Sequence, residues 1–388
     1  MLKYLIFKVS CDISLVRPKV GFMKQESRNM SQNTRIAIVG FGLVGRRHAE
    51  VVRRAPDLSL AAIVEPSQNG RAKAEMLGVP VFSTLEQMLD IIKPDGVVLA
   101  TPTPMHLEQG LTCIAAKCPV LIEKPITVTS QEALHLTTAA EKAEVPLLVG
   151  HHRRHNGMVK SAKAALSNGA IGDIRAVQAT CWFYKPDYYF DAAPWRTKKG
   201  AGPISVNLVH DVDLLRHFCG DVKMVQAISV ASRRGFENED IATAILQFCS
   251  GAIATISVSD SIVAPWSWEL TARENPAYPA TSESCYLIGG SEGGLSLPDL
   301  RVWRHDRVPD WWTPISAQNI TCDMGDPLVA QMEHFAAVIA GLEVPLVSGG
   351  EGLKSLEVVE AVSLSSASGR AITLSEEDGI ASVSHSAA

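Results

Sequence analysis

The sequence predicts an α/β protein in two parts: a doubly wound parallel sheet, then an α+β domain with an open, mostly antiparallel sheet. Three observations carry this. Apolar strand-like runs alternate with helical stretches from Arg35 to about Gly150. A glycine-rich turn follows the first of those runs. Beyond residue 223 strand follows strand with few helices between. Alternation gives parallel strands joined by right-handed crossovers, whereas successive strands tend to pair antiparallel.

The first strand, Arg35-Ile-Ala-Ile-Val, runs into Gly40-Phe41-Gly42-Leu43-Val44-Gly45. At a strand–helix junction each glycine of G-x-G-x-x-G has a use. Gly40 makes the tight turn, Gly42 lets backbone approach a pyrophosphate, and Gly45 lets helix and strand pack closely. The phosphates of a dinucleotide then sit on the helix N-terminus, so Gly40 to Gly45 are the expected cofactor-binding loop of a Rossmann domain. A second strand, Leu58–Val64, ends in Glu65, 20 residues after Gly45, where a carboxylate accepts hydrogen bonds from the adenosine ribose. Glu65 repels a 2′-phosphate, which favours NAD over NADP; Arg71, six residues on, softens that preference.

The other strands of the first part are expected at 96–101, 119–123 and 146–149, with helices at 45–55, 68–77, 84–93, 105–117 and 130–143. This gives a dinucleotide-binding domain over 34–152, whose ligand lies at the carboxyl ends of the strands, near Gly40, Glu65, Thr101 and Lys124. The second domain, 153–388, is expected to bind substrate and to mediate oligomerisation. It opens with a helix near 156–168 and a strand at 174–183. A helix over 203–219 follows, then strands at 223–232, 241–248, 252–260, 267–271, 285–288 and 293–297, and helices at 327–341 and 350–368. From Trp266 to Trp312, tryptophans, prolines and a glycine-rich run suggest loops. Residues 1–33 differ in texture, with Met23 and Met30 ahead of the first strand, and read as a disordered extension.

Composition narrows the partners. With 46% apolar and 20% charged residues, 388 residues suffice for two cores. A net charge of −5 without a basic run argues against nucleic acid. No run approaches the ~18 apolar residues of a membrane span. The eight cysteines show neither C-x-x-C nor zinc spacing, which points to reduced thiols in a cytoplasmic protein and to no metal site.

Chemistry concentrates in two places. Glu123-Lys124-Pro125 ends the strand Val120–Ile122. A buried Glu–Lys pair is costly unless it has partners or work, and a lysine there can hydrogen-bond a substrate hydroxyl and stabilise an alkoxide. Pro125 keeps Lys124 out of the α region and permits a cis bond. The second place is Gly200-Ala-Gly202 to Arg216, where helical spacing sets Val206, Asn207, His210 and Asp213 on one face. A histidine near a carboxylate is a competent general base. Thr101 and His106 lie where a nicotinamide ribose would pass; His106 either faces it or packs at a helix start. Arg196 either binds a substrate oxygen or pairs structurally. Tyr184, Tyr188 and Tyr189 form a stacking wall for a sugar or belong to the core.

In order along the chain, G-F-G-L-V-G, Glu123-Lys-Pro125, Gly150-x-x-Arg153-Arg154, Pro194-Trp-Arg196 and His210-x-x-Asp213 resemble the glucose-fructose oxidoreductase / inositol dehydrogenase / rhizopine catabolism (Gfo/Idh/MocA) family. The resemblance runs from about 35 to 370. It implies nicotinamide-dependent oxidation of a sugar or cyclitol hydroxyl, or the reverse, by a homodimer or homotetramer. By position it makes Lys124 and His210 catalytic. Glu123 joins the cofactor contacts, and His152, Arg196, Asn207 and Asp213 are the substrate-binding candidates. Two departures stand out. The family's frequent aspartate four residues before the histidine is Val206, leaving Asn207, Asp211 or Asp213 to orient His210. The family's Gly-Phe-Asn-Arg-Arg is Gly150-His-His-Arg-Arg154, which puts imidazoles at the domain junction. An NAD-dependent glycosidase and a non-catalytic dinucleotide sensor are the alternative functions on this scaffold.

Overall fold

The computed structural model describes residues 33–374. The extension read at 1–33 falls outside the described residues except for Asn33. The first half alternates as follows: β1 (Thr34–Val39), α1 (Leu43–Arg54), β2 (Leu58–Val64), α2 (Gln68–Glu75), β3 (Val81–Phe82), α3 (Leu85–Ile92), β4 (Gly96–Leu99), α4 (His106–Ala115), β5 (Val120–Ile122), α5 (Ser130–Ala143) and β6 (Leu147–Val149). The six strands form a parallel sheet in the order β3-β2-β1-β4-β5-β6. Continuous apolar strands are what such a sheet demands, because both faces are covered. Along β1, Ile36 and Ile38 enter one core while Ala37 and Val39 enter the other. The order reverses at β1, so a crevice opens beyond its carboxyl end, next to that of β4.

The second half comprises α6 (Gly157–Ser167), β7 (Ile174–Trp182), α7 (Asp187–Asp191), α8 (Val209–Cys219), β8 (Val222–Ala231), β9 (Glu239–Phe248), β10 (Ile253–Ser259), α9 (Trp268–Thr271), β11 (Tyr286–Gly290), β12 (Gly294–Leu297), β13 (Arg301–His305), β14 (Ile315–Asn319), α10 (Pro327–Ile339), α11 (Gly349–Ser368) and β15 (Ile372–Thr373). Nine strands line up as β14-β13-β12-β11-β7-β10-β9-β8-β15, antiparallel except where β7 meets β10. One alternation of these strands, including Val225, Ala244, Leu246 and Ile256, buries itself with Val212, Leu215, Val358 and Val362 of α8 and α11. The other alternation carries Ile228, Ile245, Ile253 and Leu287, all exposed in the single chain.

Three features depart from the sequence reading. The strand expected at 267–271 is the short helix α9, started by Ser267, whose Oγ accepts from the Leu270 N–H. The stretch from Trp266 to Trp312, read as loops apart from the strands at 285–288 and 293–297 that are β11 and β12, also holds α9 and β13. Helix α10, within the range 153–388 assigned to the second domain, packs on the first sheet: Met332, Phe335 and Val338 share a core with Ile36, Ile38 and Val98. Among the described residues no helix is long and apolar enough to cross a membrane.

Candidate active site

The glycine loop has the geometry of a phosphate cradle. Gly40 has φ +88°, and a Cβ there would lie 2.7 Å from the carbonyl oxygen of Ala100, so only glycine fits. A Cβ on Gly45 would lie 1.9 Å from the Gly40 oxygen, which shows how tightly α1 meets the turn. Gly42 is different. Nothing lies within 4 Å of where its Cβ would be, and it caps α1 without any side-chain hydrogen bond. The first N–H groups of α1 therefore face open space, which suits a diphosphate. Phe41 is buried, while Leu43 and Val44 point outward and offer only their backbone.

Glu65 closes the other side of this cradle. Its Oε2 accepts from the Phe41 N–H (2.9 Å), and its Oε1 accepts from the Ser67 N–H (2.9 Å) and hydroxyl (2.6 Å). Burial alone would raise its pKa; the bonds from Ser67 and Phe41, with the charge of Arg71, outweigh burial and hold it below the usual carboxylate range. Ser67 also caps α2, so the carboxylate is fixed by the turn it terminates. The Arg71 guanidinium donates to the carbonyls of Pro66 and Glu65, setting a cation on the same turn.

Thr101 donates to Gln109 (2.6 Å) at the start of the β4–α4 connection. Of the two readings of His106, its position matches packing at a helix start: the ring is buried, with Nε2 2.9 Å from the Thr101 carbonyl and Nδ1 3.0 Å from that of Pro125. Burial holds its pKa below the ordinary value.

At the end of β5, Glu123 Oε1 sits 2.7 Å from Nε2 of His48, a fully buried residue of α1. Burial opposes ionisation of Glu123, but His48 outweighs it and brings the carboxyl down to about 2. The pair ties α1 to the strand that presents Lys124. The Lys124–Pro125 bond is cis. The Lys124 Nζ donates to the carbonyl of Val206 (3.2 Å), in a wide π-type turn over Ile204–Leu208 that precedes α8. Such turns recur at functional sites because they push one residue out of register. Lys124 is half-buried; desolvation brings its pKa down to about 8, Glu123 opposing and Arg153 assisting.

His210 follows in the first turn of α8, near Lys124. Its ring centroid lies 5.6 Å from that of His152 and 6.4 Å from that of His151, each edge-on. Burial and the surrounding cations Lys124 and Arg153 push its pKa well below the ordinary value, so the ring is neutral and able to take a proton. Its Nδ1 is buried and has no hydrogen-bond partner among the described residues. None of the three expected orienting partners reaches it. Asn207 accepts from the Lys185 Nζ (2.7 Å). Asp211 accepts from Arg153 (3.0 Å) and from the hydroxyl of Tyr286. Asp213 is gripped by Arg154 through two bonds, 2.9 and 2.7 Å, with Ser355 at 3.2 Å, and is buried. The oxygens of Asp213 are thus engaged within the protein, by Arg154 and Ser355.

His152 does face the cleft. Its Nε2 lies 2.7 Å from Glu274, whose other oxygen accepts from Trp268 (2.9 Å) and Asn156 (3.1 Å). Burial opposes ionisation of Glu274, but His152 wins and brings it to about 2. Arg196 donates to the Tyr189 carbonyl (2.6 Å) and lies over that ring, 4.0 Å from its centroid. Tyr189 also takes the Lys185 ammonium over its ring at 5.2 Å, while Tyr184 and Tyr188 are exposed. Sequence reasoning missed His48, Lys185 and Glu274. His48 carried a signal, since it stands three residues after Gly45 on the inner face of α1; Lys185 and Glu274 lie on loops, whose placement no periodicity reveals. Among the described residues, no cluster of three His, Cys, Asp or Glu could hold a metal ion.

A Rossmann cradle, a half-buried lysine and a neutral histidine beside it define an oxidoreductase that uses a nicotinamide dinucleotide. Residues 34–151 match the oxidoreductase family with an NAD-binding Rossmann fold called GFO_IDH_MocA, and residues 159–296 match the GFO/IDH/MocA C-terminal domain. The chain belongs to this family. It is 26% identical to scyllo-inositol 2-dehydrogenase (NADP(+)) IolW of Bacillus subtilis over 90% of this chain and 98% of that protein. It is also 26% identical to D-apiose dehydrogenase of Paraburkholderia graminis over 87% and 89%. The WlbA dehydrogenase of Bordetella pertussis, solved with NADH and UDP-GlcNAcA, superposes with a TM-score of 0.71 at 25% identity, covering 89% of this chain and all of that one.

Proposed function

We propose that the protein transfers a hydride between a secondary hydroxyl of a sugar, cyclitol or related polyhydroxylated small molecule and NAD. One observation carries the reading: Lys124, at the end of β5 beside the glycine cradle, donates to the Val206 carbonyl in the turn that leads into His210. Gly40 to Gly45 would hold the diphosphate and Glu65 the ribose diol. The bound nicotinamide supplies the hydride acceptor. Around it, this chain's groups manage the proton. Neutral His210 takes the proton from the substrate hydroxyl, and the Lys124 ammonium donates to the same oxygen as negative charge grows there. Such groups supply about 10²–10⁴-fold in rate, and positioning by the two domains supplies much of the remainder.

The ionised Glu65 supports NAD over NADP, although Arg71 on the same turn moderates the preference. The exposed apolar residues of the second sheet support a homodimer or homotetramer paired through that face, and the unpaired described cysteines suit a cytoplasmic setting. A panel of sugars, inositols and sugar acids, followed as NADH formation with wild type and Lys124→Met, tests the assignment. Turnover that survives in the variant, or release of phenol from aryl glycosides without net NADH, would replace it.

A further inference from the structure

Among the described residues the buried guanidinium groups of this region pair with carboxylates, whereas buried Lys185 and half-buried Arg196 do not. Arg153 has Asp211 and Glu269, Arg154 has Asp213 and Glu351, Arg216 has Asp221 and Glu351, and Arg234 has Asp260. Lys185, 6% exposed, is bonded through its ammonium only to the neutral amide oxygen of Asn207. Arg196 is bonded through its guanidinium only to the carbonyl of Tyr189. Among the described residues neither has a carboxylate within ion-pair distance. Both cations lie over the Tyr189 ring, at 5.2 and 4.0 Å. The carboxylate with the strongest influence on Lys185, Asp260, is already engaged by Arg234 at 3.2 Å. Two like charges held over one ring repel each other, and an anion that joins them offsets that repulsion.

The free valences have a specific shape. Arg196 spends Nη1 on Tyr189, and its Nε is buried without a partner. The edge left over, Nε with Nη2, is the edge by which Arg154 grips Asp213 through two bonds. A planar carboxylate fits it in the same way. Lys185 retains donors beyond the one given to Asn207, and Asn207 adjoins Val206, whose carbonyl holds Lys124.

We infer that the substrate is a polyhydroxylated acid whose carboxylate is bound by Lys185 and Arg196, with the reacting hydroxyl at Lys124 and His210. This rests on the oxidoreductase reading above. The carboxylate would sit beside the turn 204–208, at the far end of the substrate from the hydride. No bond changes at this subsite; it is recognition only.

The test compares acids with neutral polyols, D-gluconate and D-glucuronate against D-glucose and myo-inositol, at saturating NAD. The wild type should show the higher kcat/KM on an acid, and Arg196→Met and Lys185→Met should each reduce the acid-to-neutral ratio by about tenfold or more, the size expected for a lost charge-assisted bond. Lys185→Arg, which keeps the charge, should retain most of the ratio, and melting curves identify any variant that fails to fold. Preference for a neutral polyol, or a ratio unmoved in both methionine variants, overturns the inference and leaves the oxidoreductase reading standing. If no compound is turned over, that reading fails instead, and calorimetry of gluconate and glucuronate with the NADH complex decides this one. Binding lost in Arg196→Met supports the subsite, and no binding by wild type overturns it.

Discussion

Lys124 and Lys185 are held by consecutive residues of one turn: the first donates to the carbonyl of Val206 at 3.2 Å, the second to the side-chain oxygen of Asn207 at 2.7 Å. The aspartate frequent at position 206 in the family would offer a charge where this chain offers only a backbone dipole. An ammonium matched by a dipole loses its proton more readily than one matched by a carboxylate. That difference sets the pH behaviour of the site.

Lys124 titrates at about 8, because burial disfavours its charged form. Stabilising an alkoxide requires the ammonium, which is present below that pH and lost above it. The kcat/KM profile should therefore fall as pH rises through about 8. Lys124→Met should lower kcat by about two orders of magnitude. Val206→Asp, which adds an anion beside the ammonium, should move the break upward. A wild-type profile flat from pH 7 to 10 would remove Lys124 from the proton chemistry.

His210 is neutral well below the ordinary imidazole range, so it should impose no acid limb near pH 6.5. His210→Ala should reduce kcat by about 10²-fold or more while the affinity for NADH, measured by fluorescence titration, stays within about twofold. Loss of NADH binding in proportion to kcat would make the residue structural.

The Arg154–Asp213 pair tests the role of Asp213. Removing one partner of a buried ion pair leaves the other uncompensated and costs about 3–5 kcal/mol. Asp213→Ala should thus lower the melting temperature sharply, and where folded protein is recovered its KM should stay near wild type. A raised KM with unchanged melting would return Asp213 to the substrate.

These outcomes mark what a sequence can and cannot reveal. Five of the six strands of the first sheet were legible because each is a short apolar run, and Ser67, Thr84 and Thr129 cap α2, α3 and α5. Strand β3, two residues long, gives no periodic signal at all. The run Trp268–Thr271 is too short for periodicity to separate strand from helix, and its outcome hung on the Ser267 cap. Spacing set Val206, Asn207, His210 and Asp213 on one helical face, but Val206 and Asn207 fall in the π-type turn that precedes α8. Which of them meets substrate depended on Lys185 and Arg154, which arrive from other elements. Helix α10 showed an apolar face, but its partners Ile36, Ile38 and Val98 lie far away in the chain.

Glu65 offers a test of cofactor choice. Wild type should show higher kcat/KM with NAD than with NADP, since an ionised carboxylate meets the 2′-phosphate. Glu65→Ala should narrow that ratio by about tenfold, the scale of one charge-assisted contact. Because Glu65 also accepts from the Phe41 N–H, the same variant should lose some affinity for both cofactors. Equal or better use of NADP by wild type would transfer control to Arg71.

The second sheet offers the last test. Ile228, 74% exposed, and Ile245, Ile253 and Leu287 belong to strands whose opposite alternation supplies the core residues Val225, Ala244, Ala254 and Ile288. Adjacent strands carrying large apolar side chains on an open face form a patch of the kind that marks an interface. Pairing the same face of two chains about a two-fold axis buries it on both. Light scattering at micromolar concentration should therefore give a multiple of the 41.8 kDa chain mass. Ile228→Asp combined with Ile245→Asp should shift the population toward single chains, because each interface would bury four uncompensated carboxylates. Neither side chain contributes to the core of its own chain, so the far-ultraviolet dichroism of the variant should match wild type. A wild-type mass of one chain would show that this face stays in water.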